Sequence, residues 1–127
     1  MGEHRFAYAL IPHAGGWQDG GVVAAARAFN APLRWGAGGG DGPWLAVEGA
    51  PGLVLDTVKL AEDSDALVLR LYEAHGGRGR ARVRLGLPFS SARRSNLLED
   101  DLGPAEVDGD AVIVDFRPWQ IVTLLVT

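Results

Sequence analysis

Sixteen Asp and Glu residues against twelve Lys and Arg supply most of the side chains able to do chemistry in this 127-residue chain. An acid–base pair needs one carboxyl group whose proton is held by burial beside a second that stays ionised. Glu62, Asp63, Asp65, Glu99, Asp100, Asp101, Asp108 and Asp110 instead cluster where the chain reverses, the setting of solvated turn caps. Glu73 differs, because it closes an apolar run on the face of Leu67, Leu69 and Leu71. Such a carboxylate should be half-buried and paired, and Arg78 or Arg80 is in reach; the expected arrangement is a structural ion pair of Glu73 with Arg80. No residue of the chain is expected to be catalytic.

The remaining chemical residue types are weaker signals. His4, His13 and His75 lack a short metal-ligand spacing, and the chain has no cysteine, so no metal site is expected. His13 and His75 do sit in glycine-flanked loops, where an imidazole can face a ligand. Arg78, Arg80, Arg82 and Arg84 form a basic stripe, yet no aromatic residue is interleaved to stack bases, which favours a solvated strand face over a nucleic-acid track. Trp17, Trp35, Trp44 and Trp119 all stand near turns, each able to plug a fold or to offer a flat apolar surface.

Composition limits what these residues can serve. Apolar residues make up 47% and charged residues 22%, an ordinary balance for a folded domain of this size. A formal charge of −4 gives no field that would gather nucleic acid or an anionic membrane. No apolar run approaches a bilayer span, and Met-Gly-Glu-His-Arg at the start lacks a secretory core, so the cytoplasm is the expected location.

The elements that must position the candidates are short strands. Residues 5–12 read as a strand with Phe6, Tyr8 and Leu10 on one face, residues 22–29 as a short alanine-rich helix, and 36–43 as a glycine-rich linker. From Trp44 onward extended runs alternate with turns. Strands are expected at 53–60, 66–73, 80–87, 94–98, 111–116 and 120–126, with a glycine turn at 76–79 and turns at 62–65 and 106–110. Ala81, Val83, Leu85 and Leu87 should point inward while the arginines between them point out. The predicted fold is all-β: a single domain built as an antiparallel β-sandwich over 42–127, with an entry segment over 1–36 holding the one short helix.

Several of these stretches, taken together, carry a family resemblance. Phe6-Ala-Tyr-Ala-Leu-Ile-Pro-His-Ala-Gly-Gly-Trp17, Phe29-Asn-Ala-Pro-Leu33, Val58-Lys-Leu-Ala-Glu-Asp63, and Val68-Leu-Arg-Leu-Tyr-Glu73 followed by Gly76 and Gly77 resemble the C-terminal region of family 38 glycoside hydrolases, the α-mannosidases. The resemblance implies a tail of a central β-domain up to about Trp35 and a terminal sandwich from Trp44 on. It also implies a zinc-dependent retaining hydrolase as the parent, whose zinc ligands and Asp nucleophile lie in an N-terminal barrel with no counterpart here. On that basis the chain is expected to be an accessory domain that supports a catalytic domain. Its candidate carbohydrate contacts are His13, Trp17, Trp44, His75, Arg78 and Trp119, the alternative being a stand-alone module for mannose-containing glycans. A second copy is expected to pair through residues 6–11 if that strand lacks its usual neighbours.

Overall fold

The fold follows from where apolar residues alternate and where they do not. In the computed structural model, residues 2–31 and 43–127 are described; Trp35 and the glycine-rich stretch from 36 to 42 lie outside them. The chain divides into two compact units, Met1–Ala37 and Gly38–Thr127.

In the first unit, the strand expected over residues 5–12 does not form. Residues 2–12 adopt no regular structure, and Phe6, Tyr8 and Leu10 are all exposed. A strand needs a neighbour for its backbone N–H and C=O groups, and no other strand is found among the described residues of this unit. The helix does form, as α1 (Val22–Asn30), entered through Gly21 at φ 66° and closed by the Ala31 N–H donating to the Arg27 carbonyl at 2.8 Å. Asn30 turns its Nδ2 back onto the Ala26 carbonyl at 2.8 Å.

The second unit is a β-sandwich, as the strand pattern predicts. Its strands are β1 (Leu45–Glu48), β2 (Leu53–Leu60), β3 (Leu67–Glu73), β4 (Gly79–Leu85), β5 (Ala92–Ser95), β6 (Asp101–Pro104), β7 (Glu106–Asp108), β8 (Ala111–Phe116) and β9 (Ile121–Val126). They form a four-stranded sheet in the order β1-β4-β8-β7 and a five-stranded sheet in the order β2-β3-β9-β5-β6, antiparallel throughout. Between the sheets lie Leu53, Leu69, Leu71, Val122, Leu124 and Val126 from one side and Ala81, Val83, Leu85, Val112, Val114 and Phe116 from the other. Period-two alternation produces this core, since the residues of this layer stand two positions apart on each strand.

The arginine stripe has become a charge ladder. Arg80, Arg82 and Arg84 point away from the core and meet Glu106 and Asp108 beyond β8 and Glu48 on the adjacent β1. These partners correct the expected turn at 106–110: Glu106 and Asp108 are strand residues of β7, facing the arginines across β8, and only Gly109 and Asp110 turn. The strand β4 also ends at Leu85, which leaves Leu87 half exposed instead of in the core.

The strand expected at 94–98 begins and ends earlier. Asn96 stops β5 because its Oδ1 accepts the N–H groups of Leu98 and Asp100, a side-chain turn that competes with the ladder. Residues 97–99 are then tied onto the outer face of the five-stranded sheet. Arg70 donates to the Leu97 carbonyl at 3.2 Å, and Glu99 pairs with Lys59 at 2.9 Å and accepts the Glu62 N–H at 2.9 Å. The Lys59 ammonium, then the Glu62 N–H, hold the Glu99 carboxyl below its ordinary value.

Candidate functional site

One end of the sandwich is organised by a single carboxylate. Glu73 closes β3 on the inner face, opposite Leu53, and is 3% exposed. Period-two alternation sends it inward with Leu69 and Leu71, while the chain beyond it must turn at once through His75 and Gly76. Its Oε1 accepts the His75 N–H at 2.9 Å, and its Oε2 accepts the N–H groups of Gly76 at 2.8 Å and Trp119 at 3.0 Å. Burial alone would push this carboxyl upward, but the N–H groups of Trp119, Gly77, His75 and Gly76 outweigh it and hold the group below 4.5.

Three loops meet at this anchor. The Ala74 N–H donates to the Gly52 carbonyl at 2.8 Å, and the Glu73 N–H to the Gln120 carbonyl at 2.9 Å. Gln120 also accepts the Arg117 N–H on its side-chain Oε1 at 2.9 Å, closing the turn through Pro118. Trp119 takes a left-handed backbone, φ 61°, and its ring lies against Gly76. Gly76 itself sits at φ 76°, and a Cβ there would come within 2.8 Å of the indole Cζ2. Gly52 is equally confined, since a Cβ on it would stand 2.8 Å from Glu73 Oε1. Gly76→Ala is therefore expected to cost about 1–3 kcal/mol through backbone strain and displacement of the indole. Thermal unfolding together with tryptophan fluorescence checks both effects, and an unchanged midpoint with an unchanged spectrum contradicts the packing described.

The pair expected between Glu73 and Arg80 is not made. Arg80 extends from the outer face of the other sheet to Glu106, with Asp115 at 3.8 Å. Glu73 faces inward, where backbone donors occupy it, so the two side chains belong to opposite faces. The other candidates divide by position. His75, Arg78 and Trp119 stand together at the Glu73 end, His75 half-buried and the other two exposed. Trp44 lies at the other end of β4, where its carbonyl accepts the Gly86 N–H at 2.7 Å; the seven residues of β4 separate the two ends by roughly 20 Å. His13 and Trp17 are in the first unit, where the imidazole of His13 covers Gly20.

Several of the turn carboxylates are engaged in holding the fold. Glu62 and Glu99 share Lys59, Asp101 pairs with Arg93, and Asp100 accepts from Asn96 Nδ2 at 2.9 Å. Among the described residues, no group of three His, Asp or Glu side chains converges to hold a metal ion, and no helix is long and apolar enough to cross a membrane.

Comparison with known proteins agrees with this architecture. The family model described as the glycosyl hydrolases family 38 C-terminal beta sandwich domain matches residues 52–124, more than half of the chain. The chain belongs to glycosyl hydrolase family 38. Alpha-mannosidase 2C1 of Homo sapiens is 41% identical over 133 residues, and that of Mus musculus 39% over 134, in both cases covering 98% of this chain. Alpha-mannosidase G of Dictyostelium discoideum is 28% identical over 110 residues, 79% of the chain. The chain spans about 13% of the length of the first two relatives and 10% of the third. The family 38 match begins at Gly52 and ends within β9, so it contains Glu73, His75, Arg78 and Trp119, whereas His13, Trp17 and Trp44 precede it.

Sequence reasoning placed Glu73 correctly on the buried face of this family 38 sandwich but missed what it holds. Its most distant partner in sequence, the Trp119 N–H, is 46 residues away. The nearer signal was available: a carboxylate followed directly by Ala-His-Gly-Gly, a segment whose turn leaves several N–H groups pointing one way.

Proposed function

We propose that this chain is a non-catalytic accessory domain of an α-mannosidase-like enzyme, supporting the catalytic domain and presenting the loop of His75 and Arg78 with Trp119 toward carbohydrate. The observation that carries the reading is the occupied state of Glu73. A retaining glycosidase needs a carboxyl group that keeps a proton near neutrality and a second carboxylate about 5 Å away. Glu73 is the one deeply buried acid of the sandwich's described residues, and backbone donors hold it ionised. The zinc implied by the family does not fit these residues, because their donor groups do not converge; on this reading it belongs to another part of the parent enzyme.

A supporting domain should offer rigid loops, and three loops locked on one carboxylate are rigid by construction. The exposed row of Phe6, Tyr8 and Leu10 suits the same reading, as a segment that is covered by the parent's neighbouring β-domain and that, in the separated chain, recruits a second copy.

The test uses a family 38 relative with the matched region removed. Adding this chain is expected to raise the thermal midpoint of the truncated enzyme and restore aryl mannoside hydrolysis, while the chain alone shows no turnover with or without zinc. An unchanged partner, or turnover by the chain alone that is lost in Glu73→Gln, would overturn the proposal.

One observation favours a second reading, a carbohydrate-binding module acting by itself. The Trp119 indole is 63% exposed yet fixed against Gly76, and a fixed exposed ring is what stacks on a pyranose face. Its mark would be a change in tryptophan fluorescence with millimolar mannose oligomers that disappears in Trp119→Ala.

A further inference from the structure

The strand β2 departs from its regular pairing with β3 at one point. Leu55 stands opposite Leu71 and Thr57 opposite Arg70, so Asp56 between them is the extra residue of a β-bulge. A bulge re-aims a side chain, and here the side chain is a carboxylate. Asp56 is exposed, and it lines a recess on the five-stranded sheet together with Arg70, Tyr72 and Ile121. Arg70 and Tyr72 alternate on β3 with the core residues Leu69 and Leu71, and Ile121 stands directly opposite Tyr72 on β9. These three side chains therefore share the outer face of the sheet.

The recess has a volume of about 180 Å3, below the range of pockets that enclose a drug-sized molecule. With neighbouring strands roughly 4.8 Å apart, β2 to β9 spans about 10 Å, a width for one ring lying across three strands. Tyr72, half-buried, and Ile121, 51% exposed, give it an apolar side. Its charged groups are opposite in sign. Asp56 Oδ2 accepts from the Thr57 hydroxyl at 2.9 Å, which uses one of about four lone-pair sites on a carboxylate. Arg70 is held in place by the Leu97 carbonyl at 3.2 Å and lies 4.0 Å from Glu99, a carboxylate that Lys59 already occupies at 2.9 Å.

We propose that this recess binds a single neutral pyranose, its C–H face resting on Tyr72 and Ile121 and its adjacent hydroxyls donating to Asp56. A carboxylate offers two oxygens to two neighbouring hydroxyls, and hydrogen bonds to a charged acceptor are stronger than neutral ones. An aromatic ring beside an aliphatic side chain supplies the apolar surface on which a sugar face rests. A cation would be repelled by Arg70 and an anion by Asp56, which leaves a neutral ligand favoured. An extended peptide would gain no backbone partners here, because β3 and β9 are each paired on both sides. One carboxylate is too few to hold a hard cation. The proposal rests on the carbohydrate half of the function proposed above and gives it a place distinct from the Trp119 loop; its failure would leave the supporting role untouched.

The probe is methyl α-mannopyranoside, titrated into the 127-residue chain and followed by amide chemical shifts, with the 3-deoxy analogue, lysine amide and acetate as comparisons. Shifts should saturate in the millimolar range and concentrate at residues 55–57, 70–72 and 121. The 3-deoxy sugar, which has no adjacent pair of ring hydroxyls, should bind about tenfold more weakly, as expected when one charge-assisted contact is lost. Asp56→Ala, a change at an exposed position, should keep the thermal midpoint and weaken the sugar by a similar factor. Tyr72→Leu, which removes the ring and keeps an apolar side chain, should weaken it several-fold, whereas Trp119→Ala should leave the affinity unaltered. Equal binding of the 3-deoxy sugar, lysine amide or acetate binding as tightly as the mannoside, shifts that lie elsewhere or do not saturate, an Asp56→Ala variant with unaltered affinity, or loss of binding in Trp119→Ala would each overturn the proposal.

Discussion

Glu73→Gln is expected to destabilise the sandwich by about 3 kcal/mol at neutral pH, although it changes one atom of a side chain. The carboxylate accepts three backbone N–H groups at 2.8–3.0 Å. An amide in its place keeps one accepting oxygen and turns an NH2 group toward donors, leaving buried N–H groups without a partner, and hydrogen bonds to a charged acceptor are worth about 1.5–3 kcal/mol each before compensation. Glu73→Ala should cost at least as much and add a cavity. The effect has a pH signature. Because the folded carboxyl lies below 4.5, its stabilisation is fully present above that value and is lost as pH falls through the folded pKa. The gap between wild type and Glu73→Gln should therefore be largest near neutrality and shrink in acid. Denaturant unfolding at pH 7 and at pH 3 measures it, and a gap that widens in acid contradicts the assignment.

Leu69→Ala is expected to have a comparable or larger effect, about 2–5 kcal/mol. Leu69 is fully buried on β3, the central link between β2 and β9, and packs in the layer between the two sheets. Truncation removes apolar contacts that the surrounding strands, held by ladders on both sides, cannot collapse to replace. Leu60 on the adjacent strand is the internal control. It is 67% exposed, so Leu60→Ala should change stability by less than about 0.5 kcal/mol. Urea midpoints of the two variants distinguish a packed core from a loosely collapsed one, in which the two substitutions would cost similar amounts.

What could be read from the sequence was whatever depends on neighbours along the chain. Alternation placed Ala81, Val83 and Leu85 inward and the arginines outward, and apolar runs bounded by turns gave β2, β3, β8 and β9 to within a residue or so. What could not be read depends on partners distant in sequence. The segment 106–108 carries two acids in a charged turn-like context, and it is a strand because it pairs with β8, its acids facing the arginines of β4. The sequence of β6, Asp-Leu-Gly-Pro, contains three poor strand formers and pairs only because β5 offers an edge. The apolar alternation of residues 6–11 is as good as that of any strand in the sandwich, yet these residues form no strand. The same limit applied to the site. Burial of Glu73 followed from its face, but the choice between an arginine and the N–H of Trp119 was set by a loop 46 residues on.

The assignment of Glu73 as an ionised structural anchor, with no proton to give, is tested most directly by titrating its side-chain carboxyl carbon by NMR in the folded chain. A midpoint below 4.5, with the amide signals of His75, Gly76 and Trp119 moving in the same step, is the result this account predicts. A midpoint raised from the ordinary carboxylate range toward neutrality, in the manner of a general acid, would contradict it.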